Sequence, residues 1–431
     1  MSNIVIYGRG KTGKGLHNML EKQGLSAVFY DDETGFDDNG SFTDKSLVLL
    51  SPGVKLNSNG VICAKREGAT LTSELEYCFK YIKGKCVSVT GTNGKTTTCE
   101  MICHILKAAS IEHRLLGNGG IPLSSEVLDI SPKEITVLES SSFQLDGAKT
   151  FAPYISVFVS LACDHIDYHG SLENYVAAKT NNFIHQTEGY AIFNEDDENV
   201  VELSEQCRCR RLYYSTFDSS ADCYFDGTKI IINFDGKDAH IECGTLKKYA
   251  RHNLSDALAA ILVAYLLGAP LDVISASFAD YKLLPHRMEV IGKYGNVTFV
   301  DDSKATNVHA TVNALSNYKS QPLALILGGS DKKEAYDDIF THLGKNVLAV
   351  AASGDTANAI ANCGKFYGTD VKIFDDIKQS VEWCFDQIKR SGGVVLMSNA
   401  CASFDKFNGY AERGEYFKKI VEELIGGKKT N

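Results

Sequence analysis

The sequence has no run of about 18 apolar residues, the length that would suggest a transmembrane helix. Its first twenty residues carry glycines and lysines where a secretory signal would need an unbroken apolar core. We therefore expect no membrane segment, and a soluble, cytoplasmic protein.

An excess of positive charge is also missing. The formal net charge of the 431 residues is -10, so no global positive field exists that would hold a polyanion such as DNA. We expect no nucleic-acid partner, and any phosphate site must be local. The 13 cysteines, including the close pair Cys207 and Cys209, lack the paired spacing of a zinc site and are interpreted as reduced thiols.

Short runs rich in valine and isoleucine alternate with amphipathic segments of helix length, which is typical of parallel sheets with crossover helices. We predict an α/β protein with three domains. Residues 1–84 form an N-terminal Rossmann-like domain, residues 85–284 a central P-loop ATPase-type domain, and residues 285–431 a C-terminal doubly wound, Rossmann-like domain. The central sheet is expected to be mainly parallel, with a small antiparallel patch where Asp-Gly turns join short strands.

A glycine-rich turn between a predicted strand and a predicted helix is the sharpest motif. Backbone N–H groups of such a turn bind phosphate oxygens, the lysine reaches the outer phosphates, and the next hydroxyl can ligate Mg²⁺. The glycines are closer together than in the standard P-loop, which disfavours a generic kinase or GTPase. The predicted nucleotide contacts are Gly91, Thr92, Asn93, Gly94, Lys95, Thr96 and Thr97.

Polar side chains follow two further predicted strands of the central domain. Glu139 ends the strand at 135–138, and His165 follows the strand at 155–159. Ligands of open sheets bind outside the carboxyl ends of the strands, so both can bind metal or substrate, although Glu139 can also cap the next helix. Lys179 falls on the apolar stripe of a later helix. Its amine either reaches water at the end of its stem or is buried with a lowered pKa.

Three polar turns follow predicted strands of the C-terminal domain. They comprise residues 301–307, the segment ending at Lys332 and the segment ending at Ser403. Each turn alone is compatible with ordinary loop polarity. Because the carboxyl ends of parallel strands meet at one edge of the sheet, three such turns together predict a polar pocket.

Taken together, these motifs resemble the Mur ligases over essentially the whole chain. The turns at 302–307 and 400–403 are similar to those of the family member that adds D-glutamate to UDP-N-acetylmuramoyl-L-alanine. The resemblance implies an ATP-dependent ligase of peptidoglycan synthesis that forms an acyl phosphate and then a tetrahedral intermediate. It implies ATP, two Mg²⁺ ions and a carbamylated Lys179 as cofactors, and a C-terminal domain that closes over the amino acid. We expect a monomer.

The resemblance also implies roles for individual residues. The catalytic set is Lys95, Glu139, His165, Lys179, Asp302 and Lys332. The metal ligands are Thr96, Glu139 and His165. Further ATP contacts are Asn253, Arg287 and Asp302. The UDP-sugar contacts are Lys11, Thr12, Asp31, Ser51 and Asn118. The remaining substrate contacts are His165, Lys304, Thr306, Lys332, Ser403 and Tyr410. The chain departs from the family pattern at Asn399, where a proline is frequent, and at Tyr410, where a phenylalanine is frequent.

Other functions remain compatible with the sequence. A phosphotransferase or NTPase would stop at ADP, a nucleotide-sugar sensor would use the first domain without catalysis, and a related ligase would take another amino acid. The motif Gly8-x-Gly10-x-x-Gly13 with Asp31 beyond it also suggests NAD, but the domain context decides against that cofactor.

Overall fold

The computed structural model describes residues 3–37, 40–242, 244–331 and 334–428. The chain divides into two compact units, Met1–Tyr281 and Lys282–Asn431. The first unit contains a sheet of five strands and a sheet of nine, and the second a sheet of six. The predicted α/β class with three sheets is confirmed, whereas the domain boundaries near 84 and 284 stay predictions. In the described part of the chain, every helix is too short or too polar to cross a membrane.

The first sheet has the strand order β3-β2-β1-β4-β5. Its strands are β1 (Asn3–Tyr7), β2 (Ala27–Asp31), β3 (Gly35–Phe36), β4 (Ser46–Leu50) and β5 (Thr70–Ser73), and its helices are α1 (Lys11–Lys22), α2 (Asn59–Arg66) and α3 (Glu74–Phe79). All pairs are parallel except β2 with β3. A Cβ atom at Gly13 would lie 2.0 Å from the carbonyl oxygen of Gly8, so only glycine lets α1 start this close to β1.

The central sheet has the order β14-β13-β12-β11-β10-β9-β6-β8-β7. Its strands are β6 (Cys86–Thr90), β7 (His113–Gly117), β8 (Ile135–Glu139), β9 (Ile155–Phe158), β10 (Tyr190–Asn194), β11 (Arg210–Ser215), β12 (Cys223–Phe225), β13 (Lys229–Phe234) and β14 (Lys237–Glu242). Only β12, β13 and β14 pair with one another in antiparallel fashion, which confirms the predicted patch.

Helices of this part of the first unit connect the strands and cover the sheet. They are α4 (Lys95–Ala108), α5 (Leu123–Glu126), α6 (Ser142–Leu145), α7 (Ile166–His169), α8 (Leu172–Thr180), α9 (Glu198–Ser204), α10 (Arg251–Leu266) and α11 (Leu271–Ser277), with short 3-10 helices at Val127–Asp129 and Gly244–Lys248. Helix α10 has a polar first turn, which begins at Arg251 ahead of the apolar run that starts at Leu254.

The third sheet has the order β15-β16-β20-β17-β18-β19. Its strands are β15 (Glu289–Tyr294), β16 (Val297–Asp301), β17 (Leu323–Leu327), β18 (Val347–Ala352), β19 (Val371–Ile373) and β20 (Gly393–Met397), and its helices are α12 (Val308–Ser316), α13 (Asp337–Thr341), α14 (Ala357–Phe366), α15 (Ile377–Ile388) and α16 (Tyr410–Lys428). The antiparallel edge strand β15 was not predicted. It has no fully buried residue, so its apolar signal is weak.

Both faces of β17 are covered, which explains its unbroken apolar sequence. Leu325 and Leu327 belong to one buried cluster, and the alternate residues Ala324 and Ile326 belong to another on the opposite face. The five parallel strands therefore have a core on each side.

Replacing Leu325 by alanine should lower the free energy of unfolding of the second unit by about 2–5 kcal/mol, because Leu325 is fully buried. The only tryptophan, Trp383, packs against Phe374 of the same unit, so its fluorescence in denaturant follows this unfolding. Leu348→Ala on β18 is the control. Leu348 is 51 % exposed, and its replacement should change the free energy of unfolding by no more than about 0.5 kcal/mol. An equal loss of stability in the two variants would contradict the core assigned to Leu325.

Candidate functional site

The predicted nucleotide residues of the central sheet lie along one edge. Strands β9, β6, β8 and β7 are adjacent and parallel. The glycine-rich turn follows β6, Glu139 ends β8, Asn118 follows β7, and Asp164 and His165 follow β9. The structure thus brings these residues to the crevice that open α/β sheets use for ligands.

The glycine-rich turn approaches its neighbours too closely for side chains. Gly91 and Gly94 have φ angles of +149° and +89°. A Cβ atom on Gly91 would lie 2.5 Å from Cγ2 of Val159, and one on Gly94 would lie 2.4 Å from Oδ1 of Asp256. Gly94 also caps the N-terminus of the 14-residue helix α4, whose free N–H groups and dipole favour an anion.

Lys95 is the first residue of α4, and its amine lies over the turn. Its Nζ donates to the carbonyl oxygens of Gly91 at 2.8 Å and Thr92 at 2.9 Å. Thr92 is held in turn by the hydroxyl of Tyr175, at 2.9 Å from its Oγ1. The positive charge of Lys95 therefore lies at the glycine-rich turn.

Lys179 is buried, which decides between the two alternatives left open by the sequence. It is 1 % exposed, and its Nζ donates to the carbonyl oxygen of Gly91 at 2.6 Å. Burial, and after it the positive charge of Lys95, lowers the pKa of Lys179, while Asp164 and Glu139 oppose this shift. A lowered pKa makes the neutral, nucleophilic amine available.

Glu139 and His165 differ in how they are held. Glu139 is buried, and its Oε1 accepts a hydrogen bond from Nδ2 of Asn118 at 2.9 Å. His165 has a φ of +55° and is half-buried, with Nε2 3.6 Å from Oδ2 of Asp164 and its ring 4.7 Å from that of Phe143. The buried Asp164 was not among the predicted site residues, although it directly precedes His165.

Asn253 and Thr97 are among the side chains of the first unit with buried polar atoms that lack a hydrogen-bond partner in the described part of the chain. Both amide atoms of Asn253 on α10, and Oγ1 of Thr97, are buried and form no hydrogen bond with the described residues. Such groups are costly to bury unpaired, and an amide offers a donor and an acceptor, which an adenine edge would satisfy. Thr96 and Glu139 carry oxygen ligands of the kind that Mg²⁺ prefers. These residues fit a nucleotide and its metal; the imidazole of His165 suits Mg²⁺ less well.

The predicted UDP residues of the first sheet share its carboxyl edge. Lys11 and Thr12 begin α1, Asp31 ends β2, and Ser51 follows β4. Oγ of Ser51 is buried without a hydrogen-bond partner among the described residues, as expected for a group that meets a ligand. Asn118 belongs to the other sheet of this unit, and its observed partner is Glu139.

In the second unit, Asp302 follows β16 and is buried. Its Oδ2 accepts from Oγ of Ser398 at 2.7 Å, and its Oδ1 accepts from the N–H of Met288 at 3.3 Å. Burial raises the pKa of Asp302 to about 7, against the effect of these hydrogen bonds and of the positive Arg287. Nε of Arg287 has no partner among the described residues.

Arg413 of α16 joins all three polar turns and was missed by the sequence analysis. Its buried guanidinium donates to Oγ of Ser303 at 2.9 Å, to the carbonyl oxygen of Ser303 at 2.8 Å and to that of Cys401 at 3.0 Å. It also donates to the carbonyl oxygen of Gly328 at 3.4 Å. Arg413 lies among charged residues of an amphipathic helix, and its sequence context does not distinguish it from a surface arginine.

The remaining predicted residues of the second unit surround these turns. Oγ of Ser303 donates to the carbonyl oxygen of Tyr410 at 2.8 Å, and Nζ of Lys304 lies 3.8 Å from the centre of the Tyr410 ring. Ser403 is buried and Thr306 is half-buried. Lys332 lies outside the described residues.

Comparisons with known proteins identify relatives of the whole chain. Residues 89–264 match the Mur ligase middle domain, and residues 286–401 match the Mur ligase glutamate ligase domain. The UDP-N-acetylmuramoylalanine--D-glutamate ligases of Clostridioides difficile (strain 630) and Pelotomaculum thermopropionicum are each 32% identical, covering 98% of this chain and 98% of their own. A crystal structure of MurF from Acinetobacter baumannii shares the fold, with a TM-score of 0.63 at 14% identity, over 96% of this chain and 98% of that one.

Asp302 should make the second unit less stable as the pH rises. Its folded pKa of about 7 lies above the unfolded value of 3.8, so its stabilising contribution is complete below pH 3.8 and is lost as the pH rises to about 7. The three-unit difference corresponds to roughly 4 kcal/mol. Asp302→Asn should remove this loss, measured by Trp383 fluorescence in denaturant between pH 4 and pH 7.

Asp370→Asn is the control for this experiment, since Asp370 is exposed in the same unit. It should keep the pH dependence of the unaltered protein. An unchanged pH dependence in Asp302→Asn would contradict the raised pKa.

Proposed function

The chain belongs to the Mur ligase family of ATP-dependent ligases, and from that premise we propose that it joins D-glutamate to UDP-N-acetylmuramoyl-L-alanine in peptidoglycan precursor synthesis. The main structural support for this chemistry is the buried amine of Lys179, which is hydrogen-bonded to the carbonyl oxygen of Gly91 in the proposed phosphate-binding turn, beside Lys95. The choice of D-glutamate is supported by the relatives that are 32% identical over 98% of the chain and bear that activity in their names.

The reaction must first convert a poor acyl donor into a good one. An oxygen of the substrate carboxylate attacks the terminal phosphorus of ATP, and ADP leaves with the electrons of the broken bond. The amine of D-glutamate then attacks the acyl phosphate, and the tetrahedral intermediate expels phosphate as the amide forms. In the first step the N–H groups of the glycine turn and the ammonium of Lys95 offset the charge of the transferring phosphoryl group.

Metal binding would use the oxygen ligands at the sheet edge. Bound Mg²⁺ would neutralise phosphate charge, with Thr96 and Glu139 as its ligands and His165 as a further candidate. The hydrogen bond from Asn118 to Glu139 fixes the orientation of that carboxylate, so we propose that Asn118 serves the metal side of the site as well as the UDP-sugar.

Carbamylation would resolve an electrostatic conflict at Lys179. A protonated Lys179 would be a buried cation near the half-buried Lys95, and both burial and the charge of Lys95 disfavour it. Addition of CO2 to the neutral amine yields a carbamate, whose negative charge would be attracted by Lys95 and could support a bound cation. We therefore keep the carbamate as part of the proposal.

The other predicted contacts complete the proposal. The UDP-sugar would meet Lys11, Thr12, Asp31 and Ser51; adenine would meet Asn253; and D-glutamate would meet Lys304, Thr306, Lys332, Ser403 and Tyr410. Arg287 and Asp302 remain predicted ATP contacts of the second unit. We propose a cytoplasmic monomer with three domains divided near residues 84 and 284.

Release of ADP should require all three substrates. With ATP and UDP-N-acetylmuramoyl-L-alanine, D-glutamate should give sustained ADP release and a stable amide, whereas L-glutamate or no amino acid should not. With ¹⁸O in the substrate carboxylate, one labelled oxygen should appear in the released phosphate. Unlabelled phosphate would exclude the acyl phosphate intermediate. Equal ADP release without an amine would favour an NTPase. Turnover with another amino acid instead of D-glutamate would identify that amino acid as the substrate.

Lys179→Ala should lower ligase turnover by about 100-fold or more, because it removes a charged group at the transferring phosphate. Added short carboxylates should partly restore the rate if they occupy the position of the carbamate. Lys133→Ala, which changes an exposed lysine of the same unit, should leave the rate unchanged with or without carboxylate. Undiminished turnover of Lys179→Ala would rule out the role given to this side chain.

A further inference from the structure

Cys207 and Cys209 form a close thiol pair away from the nucleotide-binding edge. They lie in the connection between α9 and β11, and their sulfur atoms are 3.5 Å apart. Both side chains are half-buried and pack beside the cluster that contains Phe183 and Phe193. The pair is therefore held by its surroundings while remaining accessible to a small reagent.

A metal site explains this pair poorly. A structural zinc ion takes four ligands and a catalytic one takes three. Among the described residues, no third histidine, cysteine, aspartate or glutamate joins the two sulfur atoms within ligand distance of one another. The two thiols are therefore better explained as a pair that can form a disulfide with each other.

The two thiols are electrostatically unlike each other. The hydrogen bond from Cys209 lowers the pKa of Cys207, the positive Arg211 acts in the same direction, and burial opposes both. The same contact, together with burial, raises the pKa of Cys209. Since the thiolate is the nucleophile, Cys207 is the thiol that attacks first and Cys209 the one that follows.

We propose that Cys207 and Cys209 are a reversible redox site that exchanges with small-molecule disulfides. The thiolate of Cys207 attacks one sulfur of the disulfide and displaces the other as a free thiolate. Cys209, after losing its proton to solvent, then attacks the sulfur of Cys207 and releases the second small thiol. The protein loses two electrons to the reagent, one disulfide replaces another, and two small thiols are the products.

The disulfide between Cys207 and Cys209 should be readily reduced, because the ring that it closes is small. A disulfide between residues two positions apart closes a very small ring, and strained, accessible disulfides have comparatively oxidising potentials. The pair stays reduced where small thiols dominate and oxidises when small disulfides accumulate. This inference is independent of the proposed ligase activity.

The test uses the folded, full-length protein in glutathione buffers of stepped redox potential near pH 7, followed by acid quench, alkylation and digestion with trypsin. Cleavage after Lys179 and Arg208 yields the peptide 180–208, whose only cysteine is Cys207. Oxidation should leave Cys209-Arg210 attached to that peptide through the disulfide, and dithiothreitol should release it. The linked form should exceed the glutathione adduct of Cys363 by about tenfold, in line with the larger thiolate fraction of Cys207.

Cys363 is the matched control because it is also half-buried, while burial raises its pKa. Cys209→Ser should stop the reaction at a glutathione adduct of Cys207, because no second thiol is left to displace glutathione. Cys207→Ser should lower modification of residue 209 by about threefold or more. The thiolate of Cys209 is more nucleophilic than that of Cys207, but the smaller thiolate fraction of Cys209 outweighs this difference. Absence of the linked peptide at potentials where Cys363 already carries glutathione would overturn the proposal, as would a linkage that dithiothreitol does not reverse.

Discussion

Backbone at Gly91 and Gly94 approaches its neighbours more closely than any side chain permits, and the candidate site depends on that approach. A Cβ atom at either glycine would meet Val159 or Asp256 within 2.5 Å. Because the turn is this tight, α4 begins directly at the sheet edge with its free N–H groups facing the crevice. The same tightness exposes the carbonyl oxygen of Gly91 to two amines, those of Lys95 and Lys179.

The two amines give the turn its electrostatic character. Lys95 lies over the glycine-rich turn, where we propose that it meets phosphate, whereas Lys179 is so deeply buried beside it that its charged form is disfavoured. Glu139 at the end of β8 and Asp164 in the segment after β9 are both buried, and they supply the opposite charge. Charges that are buried this close together interact more strongly than they would in water, and such an arrangement suits chemistry in which negative charge moves from one oxygen to another.

The second unit organises its polar turns by a different device. Arg413 donates to carbonyl and hydroxyl oxygens of Ser303 and Cys401 from a helix that comes last in the chain. A buried guanidinium requires such acceptors on every side, so the turns after β16 and β20 are held in one arrangement relative to α16. Asp302 is buried in this region as well, and its burial raises its pKa.

Local sequence was enough to predict the α/β class, the parallel strands with Val and Ile, the antiparallel patch and the glycine-rich turn between a strand and a helix, because each depends on periodicity or on glycine spacing within a few residues. It left the state of Lys179 open, and it missed Arg413 and the edge strand β15. Burial of Lys179 is decided by residues far away in the chain, such as Gly91, and the partners of Arg413 lie up to 110 residues away. The sequence alone determined which chemical groups stand at strand ends; only tertiary structure decided which of them are desolvated and paired, since those properties arise from packing between distant segments.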